Sequence, residues 1–292
     1  MKLNLTPYFF ILPALILIII FVLYPISATI SLSFLSPEGY FVGFDNYIRV
    51  LSRREVINYD GILKGYFPMG AIVHNAIWIL IHLPLSTLLG LVLAVLLQNV
   101  KGSSIIKSII FLGMVTPLIV GGIIIRFTFD REVGVVNMFL KAIGLGHLVR
   151  TWTMYPDTAL FSLILGSVWL WTGFSLILYS AGLAMIPKEY YEAAKIDGAS
   201  SMQIFFRITL PLLKPVTTTV VTMTLLWELK IFDIVYVATY GGPGGASNVL
   251  ALLMYFLAFR SLDFNASSVI ATLLTALTLI VAIVMFKYVV RK

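Results

Sequence analysis

Six long apolar stretches, separated by polar or glycine-rich connections, dominate the pattern of this chain of 292 residues. A helix needs about 20 apolar residues to cross the hydrocarbon core of a bilayer, because each residue rises about 1.5 Å. Prolines inside or near the stretches predict kinks, which membrane helices tolerate. We predict spans at residues 8–34, 71–97, 104–127, 158–185, 216–238 and 268–290, with kinks near Pro13, Pro25, Pro84 and Pro117.

The composition supports this assignment. Hydrophobic residues make up 60% of the chain and charged residues only 11%, whereas soluble domains average about 25% charged residues. The first stretch is too long for a cleaved signal peptide, and we expect an uncleaved anchor. The predicted fold class is therefore an all-α integral membrane protein of about six transmembrane helices, with residues 1–292 forming a single domain.

The net charge of +7 does not indicate a nucleic-acid partner. Basic residues lie near the ends of the apolar stretches, where the positive-inside rule places them, and not in a patch with exposed aromatic residues. Lys and Arg are densest at both termini and in the short connections after the second and fourth stretches. We therefore expect both termini and the 192–211 segment to be cytoplasmic.

That 192–211 segment, EAAKIDGASSMQIFFRITLP, is a polar interruption between the fourth and fifth stretches. Residues 188–196 favour a short helix, Gly198 can end it in a left-handed cap, and Ser200 with Ser201 can cap a second helix. We expect Pro211 and Pro215 to stop the second helix. An amphipathic helix of this kind suits a groove on a partner protein, although it could also lie on lipid headgroups. Its predicted apolar face consists of Ile204, Phe205 and Ile208.

The segment resembles the coupling loop of permease subunits of ATP-binding cassette importers, in their carbohydrate-type branch. The resemblance covers nearly the whole chain, including FVGFDNYIRVL at 41–51 and FDIVYVATYGGPGGAS at 232–247. The chain departs from the family's usual small residues at 263–265, which leaves the turn there open. The predicted coupling residues are Glu192, Ala193, Ala194, Asp197, Gly198, Ala199, Phe205, Ile208, Leu210 and Pro211.

The resemblance implies a six-helix permease whose loop, about residues 186–215, forms two cytoplasmic helices that dock on an ATPase. It implies three kinds of protein partner: a second homologous permease, two ATP-binding cassette ATPase subunits, and an extracellular or periplasmic substrate-binding protein. It also implies a location in the inner or plasma membrane of a prokaryote. ATP and Mg²⁺ would be bound by the ATPase, and no cofactor by this chain.

The sequence lacks the motif that would hold a nucleotide. No Gly-x-x-x-x-Gly-Lys-Ser/Thr loop occurs, and the GGPGG run at 241–245 lacks the Lys and hydroxyl that bind phosphate. We expect GGPGG to form a turn and the chain to be no enzyme. The chain has no cysteine and only three histidines, and we expect no metal site.

Polar and aromatic residues within the stretches are candidates for a substrate path, because such groups at membrane depth usually face a cavity. Aromatic faces beside hydroxyl groups suit sugars. The alternative is ordinary packing between helices, which applies to His74 and His82 as well. The candidates are Asn75, Trp78, Ser167, Trp171, Ser175 and Tyr179.

Glu228, Lys230 and Asp233 lie close together near the end of the fifth stretch. They could form an outer gate by pairing with each other or with a second permease, or they could lie above the lipid. No dense cationic cluster occurs within the stretches, which favours a neutral sugar or polyol as substrate over an anion. The mechanism that we expect is alternating access. An ion-coupled secondary transporter is the alternative, but its typical inverted repeats are not visible.

Overall fold

The computed structural model describes residues 6–290, with side chains for residues 9–287. This part of the chain is helical, with one isolated antiparallel bridge between Leu35 and Phe41. A π-helical turn, Ile19–Leu23, joins the first two helices. The helices of the first half are α1 (Thr6–Ile18), α2 (Tyr24–Ser33), α3 (Asp45–Leu51), α4 (Tyr59–Lys64), α5 (Ala71–Leu96), α6 (Ser103–Val115), α7 (Leu118–Thr128) and α8 (Val135–Ala142).

The second half begins with short 3₁₀ turns at Gly146–Leu148 and Trp152–Met154. A second π-helical turn, Phe205–Thr209, joins α11 to α12. The helices of this half are α9 (Ala159–Ala184), α10 (Lys188–Ile196), α11 (Ser201–Ile204), α12 (Leu210–Leu212), α13 (Lys214–Glu228), α14 (Asp233–Ala238), α15 (Leu250–Phe259) and α16 (Phe264–Val290).

The membrane-capable segments confirm the predicted all-α class of about six spans. Within residues 6–290, four single helices are long and apolar enough to cross a bilayer, and two bent helix pairs bring the number to six if each pair forms one span. The single helices are Phe9–Ser33, Ala71–Leu96, Ala159–Ala184 and Phe264–Lys287. The bent pairs are Ser103–Val115 with Leu118–Thr128, at 102°, and Ser201–Leu212 with Lys214–Glu228, at 65°.

The structure corrects two of the predicted spans. The third is broken rather than kinked, because Pro117 has no N–H to donate and holds Thr116 in an extended conformation. The fifth ends at Glu228 instead of continuing to residue 238. Two charged residues, Lys230 and Asp233, follow within five positions, and the chain turns there before α14 starts at Asp233. The ten-residue helix α15 was not predicted, since it is too short to span.

The helix α9 lies at the centre of the bundle. Its most apolar 18-residue window is 67% buried, whereas that of the first span, Phe9–Ser33, is 0% buried. Helices α5 and α6 pack on α9, and at Gly90 the approach is so close that a Cβ would lie 2.2 Å from the Cβ of Ser175. Small residues permit this packing between membrane helices. The N-terminal half of the first span therefore faces lipid or another protein, whereas its second half, α2, packs on α16.

The turn at 263–265, which the sequence left open, is a side-chain-supported helix start. The Asp263 carboxylate accepts a hydrogen bond from the Ala266 N–H (2.9 Å) and forms an ion pair with Arg53 (2.8 Å). Asn265 donates to the backbone carbonyls of Leu32 and Leu35. These contacts tie the start of α16 to the end of the first span and to the segment after α3.

We expect Asp263→Asn to lower the stability of the purified protein at pH 7 by about 1 kcal/mol, because Asn retains the helix cap but loses the ion pair with Arg53. Partial burial raises the pKa of Asp263, but the hydrogen bonds from Ala266 and Arg53 and the charge of Arg49 outweigh it and hold the pKa below its ordinary value of 3.8. The ion pair therefore stabilises the fold above pH 3.8 and is lost as the pH falls through the lower folded-state pKa.

Thermal unfolding in detergent across this pH range checks the expectation. The difference in stability between the parent protein and Asp263→Asn should be constant from pH 7 to about pH 5 and should disappear in acid. A difference in stability that persists unchanged in strong acid would show that the ion pair is not its cause.

Candidate functional site

The polar segment between α9 and α13 begins with a helix that ends in a tight turn, as predicted. Gly198 has a φ of +76°, a conformation that glycine adopts without steric cost. Its N–H donates to the carbonyl of Lys195 (3.1 Å), and the N–H of Ala199 donates to that of Ala194 (2.9 Å). This pair of hydrogen bonds defines a Schellman motif, which closes α10 and reverses the chain.

The second helix of the segment starts with a capping box. The Ser200 hydroxyl accepts from the Gln203 N–H, and the Gln203 side chain accepts from the Ser200 N–H. The prediction that Pro211 stops this helix was wrong, because the helix continues through Pro211 to Leu212. Pro215 lies in the first turn of α13, where its missing N–H costs nothing.

The predicted coupling residues divide between the surface and the interior of the segment. Ala194 is buried and Ala199, Phe205, Ile208 and Leu210 are half-buried, so these residues hold the two helices against the bundle. Ile204 is half-buried beside them, so the apolar face that the sequence assigned to a partner's groove packs in part against this chain instead. The exposed members are Glu192, Ala193, Asp197, Gly198 and Pro211.

Sequence reasoning missed the large apolar side chains that this segment leaves in the open. Ile196, between Lys195 and Asp197, is 86% exposed, and Met185, at the end of α9, is 83% exposed. Large apolar groups that remain exposed on a polar loop indicate an interaction surface. We call these residues the docking face, which consists of Met185, Tyr190, Ile196, Met202 and Phe206.

A cavity of about 550 Å³ separates the segment from the end of α5. Gln98 and Asn99 contribute to its wall on the α5 side, and Lys188, Glu192 and Lys195 on the side of the segment. Glu192, the first predicted coupling residue, therefore belongs both to the surface and to this charged cleft.

A second cavity, of about 510 Å³, lies at the break between α6 and α7. Trp171 of α9 and Trp227 of α13 line it, with ring centroids 6.4 Å apart. Lys230 and Asp233 supply one positive and one negative charge to the same wall. The residues at the Pro117 break form the opposite wall. The bend in the third span therefore creates this cavity. We call it the tryptophan cavity.

The predicted substrate-path residues occupy different environments. Of the six candidates, Trp171 lines the tryptophan cavity. Ser167, Ser175 and Tyr179 are fully buried on α9, and Ser167 donates to its own helix at the carbonyl of Ile164. These positions agree with the alternative of packing between helices.

The candidates on α5 hold other elements in place. Asn75 accepts from the Leu250 N–H (2.8 Å) and donates to the Glu228 carbonyl (3.3 Å), and Trp78 is fully buried. His74 accepts from the Met69 N–H and has its other ring nitrogen 2.8 Å from the Asn248 carbonyl, so its polar atoms are satisfied by backbone.

The three gate candidates do not act as one cluster in the described chain. Glu228 is only 1% exposed and its carboxylate lies 2.6 Å from His82, instead of facing Lys230 or Asp233. Lys230 is exposed and Asp233 half-buried. The sequence placed the three together because they are close along the chain, but the end of α13 turns Glu228 inward and Lys230 outward.

Comparisons with known proteins agree with this architecture. The family of binding-protein-dependent transport system inner membrane components matches residues 86–292. A probable ABC transporter permease protein of Pyrococcus horikoshii is 58% identical, over 98% of this chain and 99% of its own length. The trehalose/maltose transport system permease protein MalF of Thermococcus litoralis is 34% identical, over 96% of this chain and 92% of its own length.

A solved structure has the same fold. It is a bacterial ABC transporter involved in the import of the acidic polysaccharide alginate, with a TM-score of 0.78, 21% identity, and coverage of 99% of this chain and 96% of the other. Together with the family match and the end-to-end relatives, this shows that the chain belongs to the binding-protein-dependent transport system inner membrane components, the permease subunits of ABC importers.

Proposed function

We propose that the chain carries a neutral sugar or related polyol across the membrane, driven by ATP hydrolysis on separate ATPase subunits. The observation that carries this proposal is the docking face. Five large apolar side chains stand exposed between the end of α9 and residue 206, with Tyr190 and Ile196 on α10 and Met202 on α11, and such a surface is suited to a groove on a water-soluble partner. That partner is an ATP-binding cassette ATPase, and the segment is the coupling loop.

This assignment places the coupling loop and both termini in the cytoplasm, in agreement with the distribution of Lys and Arg. A second homologous permease completes the pathway, and the exposed first span offers it a surface. Substrate arrives from a binding protein at the opposite side of the membrane. Two ATPase subunits, one for each permease, bind the ATP and Mg²⁺.

Helix α13 gives the loop a route to the tryptophan cavity. It follows the coupling loop directly, after the 65° bend at residue 213, and it ends at Glu228 between two residues that line that cavity, Trp227 and Lys230. A displacement of the loop therefore reaches the cavity through one rigid helix. Alternating access requires two discrete arrangements of such elements.

The tryptophan cavity supports a sugar as the substrate. Indole faces stack on the apolar C–H faces of a sugar ring, and the lysine and carboxylate can hydrogen bond to its hydroxyls. One charge of each sign gives the wall no net preference for an anion. The relative from Thermococcus litoralis is named for trehalose and maltose, and these two disaccharides are the first substrates to test.

A reconstituted assembly tests the function. This chain, the second permease and the ATPase are placed in liposomes with the binding protein, and uptake of radiolabelled maltose and trehalose is measured with ATP inside. We expect uptake that stops when the ATPase is inactivated by mutation. Uptake that continues without ATP hydrolysis, driven by an ion gradient, would overturn the proposal.

We expect Trp227→Ala to lower the rate of uptake at low sugar concentration by about tenfold, because it removes one stacking surface from the tryptophan cavity. Trp227→Phe retains an aromatic face and is the matched control, with a loss of about threefold or less. Initial uptake rates over a range of sugar concentrations measure both. Equal losses in the two variants would show that the aromatic face does not contact the sugar.

A further inference from the structure

Two ionisable side chains are paired deep inside the bundle, His82 of α5 and Glu228 at the end of α13. Their Nδ1 and Oε1 atoms lie 2.6 Å apart, and the side chains are 0% and 1% exposed. They are 146 residues apart in sequence. The pair therefore joins two membrane-spanning helices at a point that water does not reach.

The pair is costly as a purely structural feature. Burying ionisable groups carries a desolvation penalty, and well-packed apolar residues of similar volume often stabilise a fold better than a buried ion pair. The second polar atoms, His82 Nε2 and Glu228 Oε2, have no hydrogen-bond partner among the described residues. Buried polar atoms left without a partner cost free energy, and proteins keep such costs chiefly at functional sites.

The surroundings of the pair connect it to the tryptophan cavity. The His82 ring meets the Trp171 ring edge-on, with centroids 5.2 Å apart and an interplanar angle of 90°. Trp171 in turn lines the cavity together with Trp227, the residue before Glu228. Asn75, two turns before His82 on α5, donates to the Glu228 backbone carbonyl and holds the same end of α13.

We propose that His82 and Glu228 are a positioning pair that transmits movement of α13 to Trp171 and so sets the opening of the tryptophan cavity. The inference rests on the proposed function, because it takes the coupling loop as the source of the movement. When the loop displaces α13, Glu228 draws His82 with it, and the His82 ring shifts the indole against which it packs. Neither side chain needs to touch the sugar.

The absence of native cysteine in this chain allows a direct measurement. Met114 lines the tryptophan cavity, and Met114→Cys reports its accessibility through the rate of labelling by a water-soluble maleimide, read on this chain by mass spectrometry. The assembled transporter is labelled with and without ATP and vanadate. The variants are His82→Gln, Glu228→Gln and the double variant, each added to Met114→Cys. Glu228→Asp, which keeps the carboxyl group on a shorter arm, is a further variant.

His74→Gln is the matched control. His74 is also fully buried on α5, but its hydrogen-bond partners are the backbone groups of Met69 and Asn248, neither of which belongs to α13. We expect nucleotide to change the labelling rate by about fivefold or more in the parent and in His74→Gln, as for coupled sites in general. In His82→Gln, Glu228→Gln and Glu228→Asp the change should fall below about twofold, while the ATPase still co-purifies.

Additivity decides whether the two residues act as a unit. The double variant should lose no more of the nucleotide-dependent change in labelling rate than either single variant, because each single change already breaks the pair. Single variants that retain the nucleotide-dependent change, or a double variant whose loss is the product of the single losses, would overturn the inference. A variant that fails to assemble is replaced by Glu228→Asp, for which the same outcomes apply.

Failure of the proposed function would look different. If the parent assembly shows no nucleotide-dependent labelling and no ATP-driven uptake, the coupling role of the loop is wrong. If the parent shows both and the pair variants match it, only the positioning role of His82 and Glu228 is wrong.

Discussion

Ile196→Glu is expected to reduce co-purification of the ATPase with this chain by about tenfold or more and to stop ATP-driven uptake. Ile196 is the most exposed residue of the docking face, at 86%. Burying an isoleucine in a partner's groove contributes about 1.5–3 kcal/mol, and a glutamate there would carry a desolvation penalty instead. A loss of 1.4 kcal/mol alone corresponds to about tenfold in affinity. Affinity capture from detergent, followed by quantification of both subunits, measures the effect.

Leu63→Glu provides the matched control. Leu63 is 85% exposed, so it loses a comparable apolar surface, but it lies on α4, far along the chain from the coupling loop. We expect this variant to retain the ATPase within about twofold. If Leu63→Glu and Ile196→Glu weakened the complex equally, the losses would reflect general damage to the protein and not a docking face at residues 185–206.

Much of the fold could be predicted from the sequence because it depends on local patterns. Runs of about 20 apolar residues leave a bilayer as the only suitable solvent. The two short helices of the proposed coupling loop could also be predicted, since an alanine-rich helix, a glycine and a serine cap are signals that lie within a few residues of the structure that they form. Gly198 and Ser200 adopt the conformations predicted for them.

The features that could not be predicted depend on contacts between distant residues. Pro117 indicates a kink, but the 102° angle depends on what α6 and α7 pack against. The exposure of Ile196 required knowledge of which helix face meets the bundle. The partner of Glu228 could not be predicted for the same reason, since Lys230 is two residues away in sequence and His82 is 146 residues away.

The substrate path shows where a periodic pattern has two explanations. Ser167, Trp171, Ser175 and Tyr179 recur every four residues, and both a sugar path and a helix contact produce that spacing. In the structure the stripe faces neighbouring helices, and at Ser175 the contact is with Gly90. Trp171 alone of these four lies where the broken third span opens a cavity. The residue that distinguishes a cavity from a helix contact is therefore Pro117, which lies in the third span and not on α9.

Gly198→Val is expected to lower ATP-driven uptake by about tenfold or more while the chain remains inserted in the membrane. A β-branched residue at a φ of +76° carries about 1–3 kcal/mol of backbone strain, and no other atom lies within 4 Å of the added Cβ to cause a separate clash. The strain opens the turn that sets the angle between α10 and α11, which carry Ile196 and Met202 of the docking face.

Gly144→Val tests whether the location of the strain matters. Gly144 has a φ of +82° and also has no atom within 4 Å of an added Cβ. The same two hydrogen bonds close α8, from the Gly144 N–H to the Lys141 carbonyl and from the Leu145 N–H to the Leu140 carbonyl. We expect this variant to retain uptake within about twofold, because α8 lies outside the coupling loop. Uptake in liposomes, normalised to the amount of inserted protein, measures both variants. Equal uptake by Gly198→Val and the parent would show that the turn does not transmit force, and the coupling role of the loop would have to be abandoned.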